Sequence, residues 1–167
     1  MADKDFEFAV ENREELKKVY DQLFPSIPLR TIFLLSGEVG VGKTESVRIF
    51  AELWGLEPVT SPSYSIINEY CLAAKAGIPQ DVRSLTLYHV DLYRLQDEGD
   101  LESTGFWDLF RNPLAVVVLE WADRLETRFL PLDWQQVQIQ IENAFTDSKH
   151  ENLEAKTNRV VRIKMTE

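Results

Sequence analysis

Apolar and polar residues alternate through Phe6-Glu7-Phe8-Ala9-Val10, which predicts a short strand near the start of the chain. The period then changes. Leu16, Val19, Tyr20 and Leu23 recur at helical spacing, Asn12 stands where an N-cap belongs, and Glu15 stands where its capping-box partner belongs. Pro25 and Pro28 end that helix. Thr31 to Ser36 is a continuous apolar run, the pattern of a buried strand. A glycine-rich turn follows it, and a helix is predicted from Lys43 to about Trp54, closed by Gly55.

Three more strands are predicted at Tyr64 to Leu72, Leu85 to Asp91 and Ala115 to Glu120, the last apolar enough to be covered on both faces. Two of them end in a carboxylate, Asp91 and Glu120. Residues Asp100 to Phe110 read as helical, and Pro113 marks the approach to the next strand. Val137, Ile139 and Ile141, and later Val161, Ile163 and Met165, alternate with polar residues. They predict two half-exposed strands joined by a polar loop from about Asn143 to Asn158. The whole reads as one α/β domain over residues 1–167, with parallel central strands, flanking helices and antiparallel C-terminal strands. Ala73 to Arg83 reads as a loop or helical insertion with no assigned role.

At 167 residues the chain is long enough to bury a core. No apolar run approaches the roughly 20 residues of a bilayer-spanning helix, and the acidic opening segment lacks the order of a secretory signal. A cytoplasmic location without membrane contact is therefore expected. The single cysteine, Cys71, has no internal disulfide partner and reads as a small apolar filler. Two histidines far apart, His89 and His150, form no ligand cluster, and His89 reads as a strand residue with a satisfied hydrogen bond. Eighteen basic residues against 28 acidic ones give a net charge of -10, which disfavours unaided nucleic-acid binding. A small anion held by clustered backbone N–H groups is still compatible with that charge.

Such a cluster is predicted at Gly37-Glu38-Val39-Gly40-Val41-Gly42-Lys43-Thr44, which matches the phosphate-loop pattern G-x-x-x-x-G-K-[ST] between a strand and a helix. The glycines let successive N–H groups turn inward, Lys43 would reach β and γ oxygens, and Thr44 would offer its hydroxyl to magnesium. A loop of this kind needs an acid at a neighbouring strand end. Asp91 and Glu120 both qualify, spacing does not divide the roles between them, and each could also serve simply as the cap of a following turn.

Other residues admit two readings. Ser61-Pro62-Ser63-Tyr64 is a turn or a γ-phosphate-sensing switch, and Arg94 pairs with a carboxylate such as Asp97 or contacts phosphate. Trp121 packs beside its strand or stacks on a ligand, and Phe106-Trp107-Leu109-Phe110 reads most simply as core, with contact to a partner as the second reading.

Taken in order, the loop Gly37 to Thr44, Ser61 to Tyr64 with Asn68-Glu69-Tyr70, His89-Val90-Asp91-Leu92-Tyr93-Arg94-Leu95 and Glu120-Trp121-Ala122-Asp123-Arg124 resemble the bacterial TsaE family, formerly YjeE. The resemblance covers about residues 7–142. It implies a small α/β P-loop ATPase that works with TsaB and TsaD in making threonylcarbamoyladenosine on tRNA, weak alone and dependent on those partners. Carried over by motif, Glu38 to Thr44 would cradle ATP, Thr44 and Glu120 would hold magnesium, and Asp91 would be the second acid near the γ-phosphate. Ser63 would take the switch position, where the family usually carries threonine, and Trp121 and Arg94 would support the site. Asp91, Glu120 and Lys43 are thus the catalytic candidates. A small-molecule kinase and a nucleotide-gated binding module remain as alternatives, while the absence of an Asn/Thr-Lys-x-Asp motif disfavours a GTPase.

Overall fold

The most apolar runs form the centre of the sheet. In the computed structural model, which describes residues 4–26, 28–56, 58–62, 65–71, 85–95, 98–144 and 158–166, β2 (Thr31–Ser36) and β5 (Ala115–Glu120) pair in parallel. Nearly every side chain on both strands is buried. On the other flank of β5, β4 (Thr86–Asp91) is also parallel, and on the other flank of β2 so is β6 (Gln135–Asn143). The edges are antiparallel: β3 (Ile67–Cys71) on β4, β7 (Arg159–Thr166) on β6, and β1 (Lys4–Val10) on β7. The full order is β1-β7-β6-β2-β5-β4-β3. The expected antiparallel pair at the C-terminus is present, and its first member also extends the parallel block.

One face of the sheet is covered by α1 (Arg13–Leu23) and α2 (Lys43–Leu53). Their apolar stripes meet the alternate residues Phe33, Leu35, Val116 and Val118 in one core cluster with Tyr20, Phe24, Phe50 and Trp54. The Phe50 ring lies 4.6 Å from Tyr20 and 5.0 Å from Trp54, and truncating such a ring to alanine costs about 3–5 kcal/mol. Asn12 caps α1 by accepting the Glu15 N–H, while the Glu15 carboxylate reaches back to the N–H of Glu11. The reciprocal bond therefore falls one residue before the cap. Arg13 bridges from α1 to Glu45 and Glu52 on α2, and Lys17 also holds Glu52. The Lys17 and Arg13 hydrogen bonds keep the Glu52 carboxyl down at about 2.

The opposite face is covered by short pieces. The helix expected over Asp100 to Phe110 is two elements, α3 (Glu98–Ser103) and a 3-10 turn (Phe106–Arg111), separated by Gly105 at φ 77. A left-handed residue stops an α-helix, and glycine adopts that conformation without a Cβ penalty. Phe106 and Leu109 enter the core with Leu34, Val117 and Leu119, whereas Trp107 is a third exposed and not a core residue. Cys71 is also exposed, because β3 is an edge strand, so the filler role fails. The third predicted strand is shorter than expected, which places Asn68 and Glu69 in its middle. Among the described residues no helix is long and apolar enough to cross a membrane. The Ala73 to Arg83 segment, Ser63, Tyr64, Asp97 and His150 lie outside the described residues.

Candidate nucleotide site

Parallel pairing brings the ends of β2, β5 and β4 to one rim, where ligands bind in open α/β sheets. The loop that leaves β2 there is held by close approaches that only glycine permits. A Cβ on Gly37 would lie 2.2 Å from the Ile141 carbonyl oxygen on β6, and Gly42, the N-cap of α2, has φ 118. Val41 is buried under the loop and Val39 projects into solvent. The first turn of α2 closes with Ser46 N–H donating to Gly42 O at 2.9 Å, and the N–H groups ahead of it have no intrahelical acceptor. Gly42, Lys43, Thr44 and Glu45 line a cleft of about 430 Å3 together with Val39, Gly40, Arg48, Asp91, Tyr93, Glu120 and Trp121.

Lys43 is buried, and its Nζ donates to the carbonyls of Gly37 and Glu38, both at 2.7 Å. The same nitrogen lies 3.6 Å from the Trp121 ring centroid, a cation–π contact. Burial pushes the Lys43 amine below its usual value, opposed by the negative charges of Glu120, Asp123 and Asp91. Trp121 has φ 61, a left-handed conformation that costs a non-glycine residue about 1–2 kcal/mol and swings its ring off the end of β5. Tyr93 packs 5.0 Å from that ring, and Arg124 donates to the Tyr93 carbonyl while lying over both rings.

The two candidate acids are cross-strand partners, Asp91 beside Glu120. Glu120 is 3% exposed, and both of its oxygens are engaged: Oε2 accepts from Thr44 Oγ1 at 3.0 Å, and Oε1 lies 2.7 Å from Nε2 of the fully buried His89. Asp91 is half-buried, and its Oδ1 accepts the Tyr93 N–H at 2.9 Å.

The structure thus gathers Lys43, Thr44, Asp91, Glu120 and Trp121 around one cleft with the loop residues Val39, Gly40 and Gly42. Val41 and Glu38 belong to the loop but do not line the cleft. Arg94 is exposed and does not line the cleft, and Ser63 is not described. Sequence alone does not single out the cleft residues Tyr93 and Arg48, nor Arg159, which approaches the loop at Gly42. Arg48 follows Thr44 by one helical turn, a signal present in the pattern. Arg159 carried no such signal: β7 returns antiparallel and leaves its Nη1 3.8 Å from the position a Gly42 Cβ would take.

The donor set suits a hard cation. A hydroxyl and a carboxylate oxygen stand 3.0 Å apart at the start of α2, and magnesium is typically held by one or two carboxylates and completed by phosphate oxygens and water. Among the described residues no group of three or more His, Cys, Asp or Glu could hold a metal by itself.

A family model described as "Threonylcarbamoyl adenosine biosynthesis protein TsaE" matches residues 10–152. A Borreliella burgdorferi protein named tRNA threonylcarbamoyladenosine biosynthesis protein TsaE is 32% identical over 98 residues, which are 59% of this chain and 64% of that protein. The chain thus spans just under two thirds of that relative's length. A Bacillus subtilis (strain 168) protein of the same name is 31% identical over 157 residues, covering 93% of this chain and 89% of its own. The crystal structure of Bacillus subtilis YdiB superposes with a TM-score of 0.62 at 26% identity, covering 99% of this chain and 88% of that one. Matched by the family model over residues 10–152 and by a relative along 93% of its length, this chain belongs to the TsaE family of threonylcarbamoyladenosine biosynthesis proteins.

Proposed function

We propose that this chain is a magnesium-dependent ATPase that acts on tRNA threonylcarbamoyladenosine modification in the cytoplasm by driving conformational cycling of TsaB and TsaD. The observation that carries the reading is the bond from Thr44 to Glu120, which joins the phosphate loop to a buried strand-end acid at 3.0 Å. Bound magnesium would supply positive charge that stabilises the phosphates during transfer. Thr44 and Glu120 would hold it, and the N–H groups at the start of α2 would donate to the phosphate oxygens.

Lys43 would exchange its two carbonyl acceptors for phosphate oxygens, because a phosphate oxygen offers its ammonium a full opposite charge that a neutral carbonyl lacks. Asp91, at the open side of the cleft, would orient the attacking water. A carboxylate on a backbone N–H is held in place without being withdrawn from solvent. The acidic chain itself would leave tRNA to its partners.

The test is magnesium-dependent ATP hydrolysis by the purified chain, alone and with a TsaB–TsaD pair, with Lys43→Ala as the blank. Weak turnover that rises sharply with the pair is expected, as is a drop of about 10²-fold or more in Lys43→Ala. Unchanged turnover in Lys43→Ala sinks the phosphate-loop assignment. Nucleotide binding with turnover at blank level, even with the pair present, would make the chain a nucleotide-gated binder.

A further inference from the structure

Among the described residues, His89 is the one fully buried titratable side chain touching the site to which the reaction above gives no task. Strand alternation puts Leu87, His89 and Asp91 on the α2 side of β4, beside Val116, Val118 and Glu120 of β5. His89 is opposite Val118, so Glu120 is its diagonal neighbour, one step nearer the rim. An aliphatic residue would fill this apolar position without burying a polar group. The imidazole instead keeps its 2.7 Å contact to Glu120 while its Nδ1 has no hydrogen-bond partner. Buried polar atoms are rarely left unpaired, so the contact made by the other nitrogen is what the position selects for.

We infer that His89 is a positioning residue that holds the Glu120 carboxylate from beneath, so that Oε2 is presented beside the Thr44 hydroxyl toward a metal on the phosphate loop. The terminal torsion of a glutamate is broad, and one bond from Thr44 leaves the carboxylate free to turn. Two bonds, one to each oxygen, fix its plane. Groups that orient a metal-binding carboxylate in this way change metal affinity without touching the metal. The inference deepens the magnesium-nucleotide reading and rests on it.

The experiment uses the full chain, a fluorescent ATP analogue and a magnesium titration, with His89→Leu and His89→Gln checked for folding by circular dichroism and thermal melting. In His89→Leu, metal-free nucleotide affinity stays within about twofold, while the magnesium concentration for half-maximal binding rises about tenfold or more. His89→Gln, whose side-chain amide can donate to Oε1, recovers most of that loss. A folded His89→Leu with unchanged magnesium requirement overturns the inference. So does an equal loss of metal-free and metal-supported binding, or a Gln variant no better than Leu.

A second readout needs no variant at position 89. The only other histidine is His150, so in His150→Asn the remaining imidazole signal belongs to His89. That signal moves when magnesium is added to the nucleotide-saturated protein, and a signal that stays put overturns the inference even if both variants fail to fold. A wild-type chain that binds no nucleotide overturns the magnesium-nucleotide reading first, and this inference with it.

Discussion

Asp91 and Glu120 occupy the same place in the pattern and end in different environments. Each is the last residue of a parallel strand, the two are paired in register, and each is followed by a turn at the rim of the cleft. Glu120 closes β5, which lies between β2 and β4 under α2. It is sealed, with one oxygen on His89 and the other on Thr44. Asp91 closes β4, whose outer neighbour is the short edge strand β3, and it binds a backbone N–H at the open side. Position along a strand therefore brings an acid to the site, and the neighbours across the sheet decide what it can do. Two carboxylates held in unlike surroundings suit two roles, one fixed and one exposed to water.

The largest effect that separates them is expected from Glu120→Ala. Turnover should fall about 10³-fold, and stability should drop by about 1–3 kcal/mol because His89 and Thr44 lose a buried acceptor. Denaturant unfolding and turnover per folded molecule check the two parts separately. If stability falls while turnover per folded molecule survives, Glu120 is a structural cap and the contrast with Asp91 disappears.

Asp91→Asn should act the other way round. Asparagine can still accept the Tyr93 N–H, so stability should change by less than about 0.5 kcal/mol and nucleotide should still bind. Hydrolysis should fall about 10²-fold, as expected when a positioned carboxylate is neutralised. Loss of nucleotide binding in this variant would move Asp91 into the binding role and leave the water-orienting role without an owner.

Much of this arrangement is legible in the chain because its signals are local. The runs Thr31 to Ser36 and Ala115 to Glu120 mark the sheet centre, and Gly37 to Thr44 marks the turn, since close packing and left-handed backbone demand those residue types in place. The division of labour between the acids is not local. It depends on the register that sets His89 diagonally below Glu120, and on a helix start that brings Thr44 within hydrogen-bond reach. Arg159 reaches the loop only because β7 runs back along β6, which no short window of sequence encodes. Cys71 differs from its expected filler role for the same reason: a small apolar residue on a strand is filler or surface according to whether that strand is central or an edge.

The finest distinction between the two acids should appear in the alkaline limb of nucleotide binding. Burial pushes the Lys43 amine below the ordinary lysine value of 10.5, and Glu120, then Asp123, then Asp91 pull it back up. Lys43 attracts phosphate only while charged, so affinity should be lost as pH rises through this lowered value, earlier than for a free lysine. Removing an acid withdraws support for the charged amine and moves the loss to still lower pH. The movement should be larger in Glu120→Gln than in Asp91→Asn, because Glu120 contributes more to holding the charge. Near neutrality the sign reverses, since Lys43 stays charged and one less carboxylate repels the phosphates, so affinity there should rise slightly in both variants. Metal-free binding of a fluorescent ATP analogue across the alkaline range reads both effects without the confounding loss of a metal ligand. A larger movement in Asp91→Asn would mean that the exposed acid, and not the sealed one, sets the charge of Lys43.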